Sequence, residues 1–178
     1  MATPTLPLAW GAKVSPEFRA RIYTVVDHLG WREERASDLM ACMAFETGRT
    51  FSPSVRNPGS SGTGLIQFMS ATAKGLGTTT AALSRMTAVD QLWYVERYFR
   101  PNADKIRTLE DMYCAILWPK AIGAPLEYVL WRTGTRAYFL NKGLDRNKDR
   151  KVTKAEAVST VRLLYDEGML PRNVFLPY

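Results

Sequence analysis

Between Asp38 and Asp90 the chain carries a single acidic residue, Glu46. It lies in the stretch FETGRTFSPSVRNPGSSGTGLIQFM at 45–69, among glycines, hydroxyl residues and two cations, Arg49 and Arg56. Leu39, Met43 and Glu46 are spaced by four and then three residues, which places them on one face of a helix. That face is otherwise apolar, so Glu46 is expected to point toward the core near the helix end. Burial disfavours the charged form and raises a carboxyl pKa. A carboxyl that keeps its proton near neutral pH can act as a general acid. Arg49 and Arg56 would act in the opposite sense if they touched it. A lone Glu at a helix end is also commonly solvated or paired with arginine, so spacing alone leaves both readings open.

A second group is DRNKDRKVTKAE, from Asp145 to Glu156. Asp145, Asn147 and Asp149 occupy positions one, three and five of an EF-hand loop, and Lys151 would offer its carbonyl at seven. Val152 is the apolar residue at eight, Thr153 stands at nine and Glu156 at twelve. Arg150 departs from the pattern, because position six normally takes a Gly for a turn with positive φ. Thr153 and Glu156 also have the spacing of a capping box. A calcium loop and a helix cap both account for these residues, and calcium is the one cofactor the sequence brings forward.

The elements that must hold these residues read as mostly helical. Ser15 is a helix cap with Pro16 at the first helical position, and Phe18, Ile22, Val25, Val26 and Leu29 form an apolar stripe that Gly30 ends. A second helix is predicted over about 32–47, stopped by Gly48. Residues 51–64, rich in Pro, Gly, Ser and Asn, read as a long loop with a small hairpin, and long structured loops are often functional. SATAKGLG reads as a short helix. Thr87 with Asp90, and Thr108 with Asp111, mark two more helix starts, the second closed by Pro119. Apolar segments follow at about 125–132 and 136–141, then a helix at about 154–167 ending at Gly168 and an extended tail. The N-terminal MATPTLPLAWGAK reads as a Pro-rich arm on the surface, giving an arm at 1–14 and one domain at 15–178.

The chain has 178 residues and 46% apolar content, which suits one folded domain. No apolar run approaches the roughly 18 residues of a membrane span, and the N-terminus lacks the features of a secretory signal. The net charge of +7 favours an anionic partner. No nucleic-acid recognition motif is present, and the aromatics follow core spacing. Cys42 and Cys114 lack metal-ligand spacing and read as buried thiols. His28, the single histidine, excludes a multi-histidine metal site.

The stretch FETGRTFSP…GSSGTGLIQFMSATA resembles the core of the soluble lytic transglycosylases, which share a fold with goose-type lysozyme. Glu46-Thr47 stands for that family's Glu-Ser pair, with Phe51 and Pro53 following. Gly64-Leu65-Ile66-Gln67 stands for Gly-Leu-Met-Gln, and Thr72-Ala73 matches the short helix after it. The likeness covers residues 35–75 well and 87–123 loosely. Tyr113 falls where the family has the Tyr of an Ala-Tyr-Asn motif, with Cys114 at the Asn position.

The resemblance implies a mainly α, lysozyme-like single domain with a small β element near the active site. It implies cleavage of the bond between N-acetylmuramic acid and N-acetylglucosamine in peptidoglycan. Glu46 would be the sole acid and base, and the product would be a 1,6-anhydro sugar. Thr47, Gly64, Ile66, Gln67 and Tyr113 would bind substrate, and the reaction would require no metal. Other expectations are a monomer, peptidoglycan strands and an anionic outer-membrane surface as partners, and a phage endolysin or virion-borne lysin. Such an enzyme is released to the periplasm by a holin or carried by the particle. A hydrolytic goose-type lysozyme and a non-catalytic wall-binding or virion structural protein are the alternatives.

Overall fold

The computed structural model describes residues 4–177. The helices are α1 (Pro16–His28), α2 (Arg35–Glu46), α3 (Ser70–Gly75), α4 (Thr80–Leu83), α5 (Ala88–Phe99) and α6 (Leu109–Leu117). Strand β1 (Val129–Arg132), helix α7 (Arg136–Asn141), strand β2 (Lys151–Thr153) and helix α8 (Lys154–Gly168) complete the chain. The result is a mainly helical domain with one two-stranded antiparallel sheet, not closed into a barrel. No helix among the described residues is long and apolar enough to cross a membrane.

Most of the helices begin at a side-chain cap, though α2 and α3 start without one. Ser15, Thr87, Thr108 and Thr153 each accept a bond from the backbone N–H three residues on. Thr153 and Glu156 complete a reciprocal capping box at the start of α8.

Helix α2 is the hub. Every residue from Ala36 to Ala44 is buried, as expected of a helix surrounded by others. It packs against α1, α6 and α8. Two ion pairs tie this centre together: Arg35 with Asp38 on α2, and Arg162 on α8 with Glu110 on α6. Burial pushes the Asp38 carboxyl up to about 6, against the pull of Arg35. A deeper pair joins α8 to α6. Lys154, 2% exposed, donates to Asp111 at 2.7 Å and to the carbonyls of Ala121 and Ala124. Burial would raise the Asp111 carboxyl, but the Lys154 ammonium and the N–H groups of Gly123 and Arg107 outweigh it and hold the pKa below the ordinary value.

The amino-terminal segment corrects the sequence reading. Leu8, Ala9 and Trp10 are buried in the core, not laid on the surface. Leu8 pairs with Phe175 as an antiparallel bridge, and Ala12 donates to Asn173. The Trp10 indole donates to the Leu164 carbonyl at 2.8 Å, and its ring occupies the space a side chain at Gly168 would need. A Pro-rich composition suggests exposure, but the three apolar residues after Pro7 find partners more than 150 positions away.

The position of the β structure is a second difference. The named sheet pairs Val129 with Thr153, Trp131 with Val152 and Arg132 with Lys151, with an irregularity between Val129 and Trp131. It flanks the 145–156 loop. The glycine-rich stretch contains only isolated bridges, Arg56 with Thr63 and Thr63 with Phe68.

Candidate active site

Glu46 is the last residue of α2, where the buried hub helix meets the glycine-rich loop. It is half-buried, and burial alone pushes its carboxyl up from 4.5 to about 7. No hydrogen bond or ion pair reaches that carboxylate among the described residues. The two nearby cations do not neutralise it. Arg49 is drawn instead to Glu167 on α8, with its guanidinium 2.6 Å from the carboxylate.

Two phenols stand close enough to feel the charge of Glu46. Burial pushes Tyr98 up to about 12, and the Glu46 carboxylate adds to that. The same two causes, with smaller ones from Cys42 and Cys114, raise Tyr113 far above its ordinary value. The Tyr113 ring is buried edge-on to Phe45, with centroids 5.3 Å apart, and no hydrogen bond joins it to Glu46. Tyr98 donates to the Ala115 carbonyl at 2.7 Å. That carbonyl would normally accept from the residue four positions on, which is Pro119 and has no N–H. Tyr98 fills the vacancy and is thereby fixed between α5 and α6. Nothing in the helical stripe of α5 separates Tyr98 from ordinary core, so the sequence alone does not single it out. Cys114, beside Tyr113, is buried like Cys42, and both thiols are free and raised by burial.

The turn after Glu46 is held by Thr47. This buried residue donates to the Met43 carbonyl at 2.6 Å and accepts from the Phe51 N–H at 3.0 Å. Phe51 inserts its ring against Trp10 and Phe18, which pins the loop to the core.

The other end of the loop depends on Gln91 in α5, which is 0% exposed. Its carbonyl accepts from the Leu65 N–H at 2.7 Å, and its amide donates to the carbonyls of Pro53 and Leu83. One buried carboxamide therefore clamps three segments. It also explains Gly64, whose φ is 78° and whose missing Cβ would collide with the Gln91 carboxamide. Only glycine meets both conditions. Gln91 is 27 residues from Gly64 in sequence, so no local signal could have revealed it.

Within 62–67 most donors are already used. The N–H groups of Gly62, Thr63, Gly64, Leu65 and Gln67 bond inside the fold. The Gln67 amide donates to the carbonyls of Val55 and Gly64. Ile66 has its side chain buried, and its N–H together with the Gln67 Oε1 remain unpartnered among the described residues. Arg49, Phe51 and Gln67 all have positive φ, which makes three of the six such non-glycine residues described. Strained backbone of this kind tends to gather at functional sites.

The 145–156 loop forms a tight turn held by its own side-chain acceptors. Asp145 accepts from the N–H groups of Asp149 and Arg150, Asn147 accepts from Asp149, and Asp149 accepts from Lys151. Arg150 adopts φ 68°, the conformation glycine takes at that position, and Val152 is buried in the sheet. Glu156 accepts from the Thr153 N–H and hydroxyl at 2.9 and 2.8 Å through Oε2, and from the Arg146 N–H at 3.2 Å through Oε1. Tyr138 donates to Asp145 at 2.6 Å. No group of three or more His, Cys, Asp or Glu among the described residues forms a metal cluster.

A cavity of about 940 Å³ lies elsewhere, between the end of α1, the start of α2 and residues 100–107. Two of its four arginines are answered within the fold, Arg35 by Asp38 and Arg100 by Glu96, while Arg32 and Arg107 make no ion pair among the described residues, and Glu34 and Asp104 also line it. Glu96 further takes Arg21 at 2.8 Å and the His28 Nδ1 at 3.3 Å. The cavity is a charged crevice that Glu46 does not line.

No protein-family model matches the chain, and searches of the curated proteins and of the solved structures return no match.

Proposed function

We propose that this chain is a lysozyme-like peptidoglycan lytic transglycosylase with Glu46 as its acid and base. One observation carries the reading: a half-buried carboxyl with no partner, pushed up to about 7 by burial, at the end of a rigid buried helix. Such a group is protonated often enough near neutral pH to donate, and it is a usable base once it has done so. Glycosidases that consume water commonly need two carboxyls. A single unpartnered one suits a reaction in which the substrate supplies its own nucleophile.

Glu46 would give its proton to the bridging oxygen as the bond to C1 of the muramoyl unit breaks, releasing the 4-hydroxyl of the next sugar. The sugar's own N-acetyl group would stabilise the positive charge at C1. The Glu46 carboxylate would then take the proton of the muramoyl 6-hydroxyl while that oxygen bonds to C1. The 1,6-anhydro ring closes and the acid is restored, with no water consumed. The Ile66 N–H and the Gln67 Oε1 are polar groups of the loop available for sugar contacts. Thr47, Gly64 and Gln91 would act by holding the loop. Tyr98 and Tyr113 would wall the carboxyl off from solvent. No metal takes part, and calcium at 145–156 would serve the fold.

Digestion of purified peptidoglycan by the wild type and by Glu46→Gln, read by muropeptide mass, tests this. Products lighter by one water, lost in the variant, are expected. Hydrated reducing ends lost in the variant would make the chain a lysozyme. Equal activity in both proteins would remove Glu46 from the chemistry. Glycan binding without cleavage by either would leave a wall-binding protein.

A further inference from the structure

Residues 132–151 carry seven cations, Arg132, Arg136, Lys142, Arg146, Lys148, Arg150 and Lys151, against two acids, Asp145 and Asp149. This net +5 in one short segment is most of the chain's net charge of +7. Among the described residues only Lys151 pairs with a carboxylate, that of Asp149 at 3.7 Å. The Arg146 guanidinium rests on the Thr160 hydroxyl, and the other five cations make no ion pair. In the middle of them, helix α7 presents Phe139 and Leu140, 66% and 68% exposed. The Lys142 ammonium lies 5.1 Å from the Phe139 ring centre. Helix α7 packs chiefly on β1, β2 and the turn that follows it, and Tyr138 fastens it to the loop through Asp145. Charge and apolar tip thus belong to one small unit carried on the sheet.

We propose that this unit docks the protein on an anionic phospholipid surface. Phe139 and Leu140 would enter the interface while the surrounding Lys and Arg side chains meet headgroup phosphates. The pairing of features selects this occupant. Two adjacent large side chains in water have a cost that only an apolar partner removes, and five unpaired cations call for a dense field of negative charge. A lipid interface supplies both at once. A neutral sugar surface supplies neither, and a second copy of this chain would bring like charge against like. The inference does not depend on the reaction assigned to Glu46.

The test is co-sedimentation with vesicles of phosphatidylglycerol and phosphatidylethanolamine, against vesicles of phosphatidylcholine, in about 0.1 M salt. Partition at least about tenfold stronger on the anionic vesicles is expected. Phe139→Ser with Leu140→Ser, and separately Lys142→Glu with Lys148→Glu, should each reduce it about tenfold or more. All four positions are exposed, and circular dichroism checks that the fold is kept. Activity on lipid-free peptidoglycan should be unchanged in both variants. Equal binding to the two kinds of vesicle, or full binding by the Ser variant, would overturn the proposal. So would a Ser variant that instead loses binding to lipid-free peptidoglycan, or one that abolishes a self-association seen in the wild type by sedimentation velocity.

Discussion

Replacing Glu46 by Gln should stabilise the protein in alkaline solution and leave its stability unchanged in acid. The carboxyl titrates near 4.5 when unfolded and near 7 when folded. Between those values the folded state holds a proton that the unfolded state has released, so folding stability falls as pH rises through the window. The loss is complete above about pH 7 and amounts to roughly 3 kcal/mol at about 1.4 kcal/mol per tenfold change in proton affinity. Glutamine keeps the shape and cannot ionise, so it escapes the loss. In a domain of this size each kcal/mol moves the melting temperature by about 2–4 °C, so the variant should melt roughly 6–12 °C higher at pH 8.5 and at the same temperature near pH 4. Urea unfolding of both proteins across this range measures the difference directly. Asp38 does not feel Glu46 and cancels between the two chains, while Tyr98, Tyr113 and Cys42, which do feel it, are raised by burial and keep their protons in the folded state across this range. The same substitution should lower glycan cleavage by about 10²–10⁴-fold. A stability difference that stays flat with pH would mean that Glu46 is solvated in the folded state. Glu46 would then be ionised at neutral pH and unable to serve as the acid, whatever the activity.

Four further outcomes follow from particular contacts. Gly64→Ala should destabilise the fold by about 3 kcal/mol or more, through strain at positive φ and collision with Gln91, and a thermal melt reads this. Lys154→Met should cost about 3–5 kcal/mol by leaving Asp111 buried without its partner, seen as a lower urea midpoint. Arg150→Gly should stabilise by about 1 kcal/mol by relieving a left-handed side chain, read as a higher urea midpoint in calcium-free buffer. Tyr113→Phe should leave stability within about 0.5 kcal/mol, because its hydroxyl makes no hydrogen bond among the described residues; a drop in turnover at unchanged stability would give that hydroxyl a role toward substrate.

The parts of this structure that could be read in advance are those governed by near neighbours. Ser15, Thr87, Thr108 and Thr153 cap helices because a hydroxyl three residues before a free N–H is a local event. The inward turn of Glu46 followed from spacings of four and three. What escaped was set by contacts across the chain. The stretch with Leu8, Ala9 and Trp10 is too short to announce itself as core, and its partners lie at 164–175. Gln91 looks like any polar residue on an amphipathic helix until the loop of 53–65 closes over it. Tyr98 gains its place because Pro119 leaves a carbonyl open. The 125–132 segment read simply as apolar, because a strand of four residues has too little pattern to be distinguished from a short helix.

The stitching of Leu8, Trp10 and Ala12 to residues 164–175 also governs the order in which the molecule is finished. A chain that emerges in sequence holds these apolar residues in water until α8 and the turn after it have formed. The Trp10 indole must wait for a carbonyl 154 positions later. Contacts of such long separation form late and slow the whole process. Phe51 leans on Trp10, at 6.2 Å between ring centres, and Phe51 begins the loop that frames Glu46. A nascent chain therefore holds the Glu46 carboxyl in an unfinished, wet setting, where it stays ionised near neutral pH and cannot donate a proton. Competence to cleave would switch on only with the final docking step.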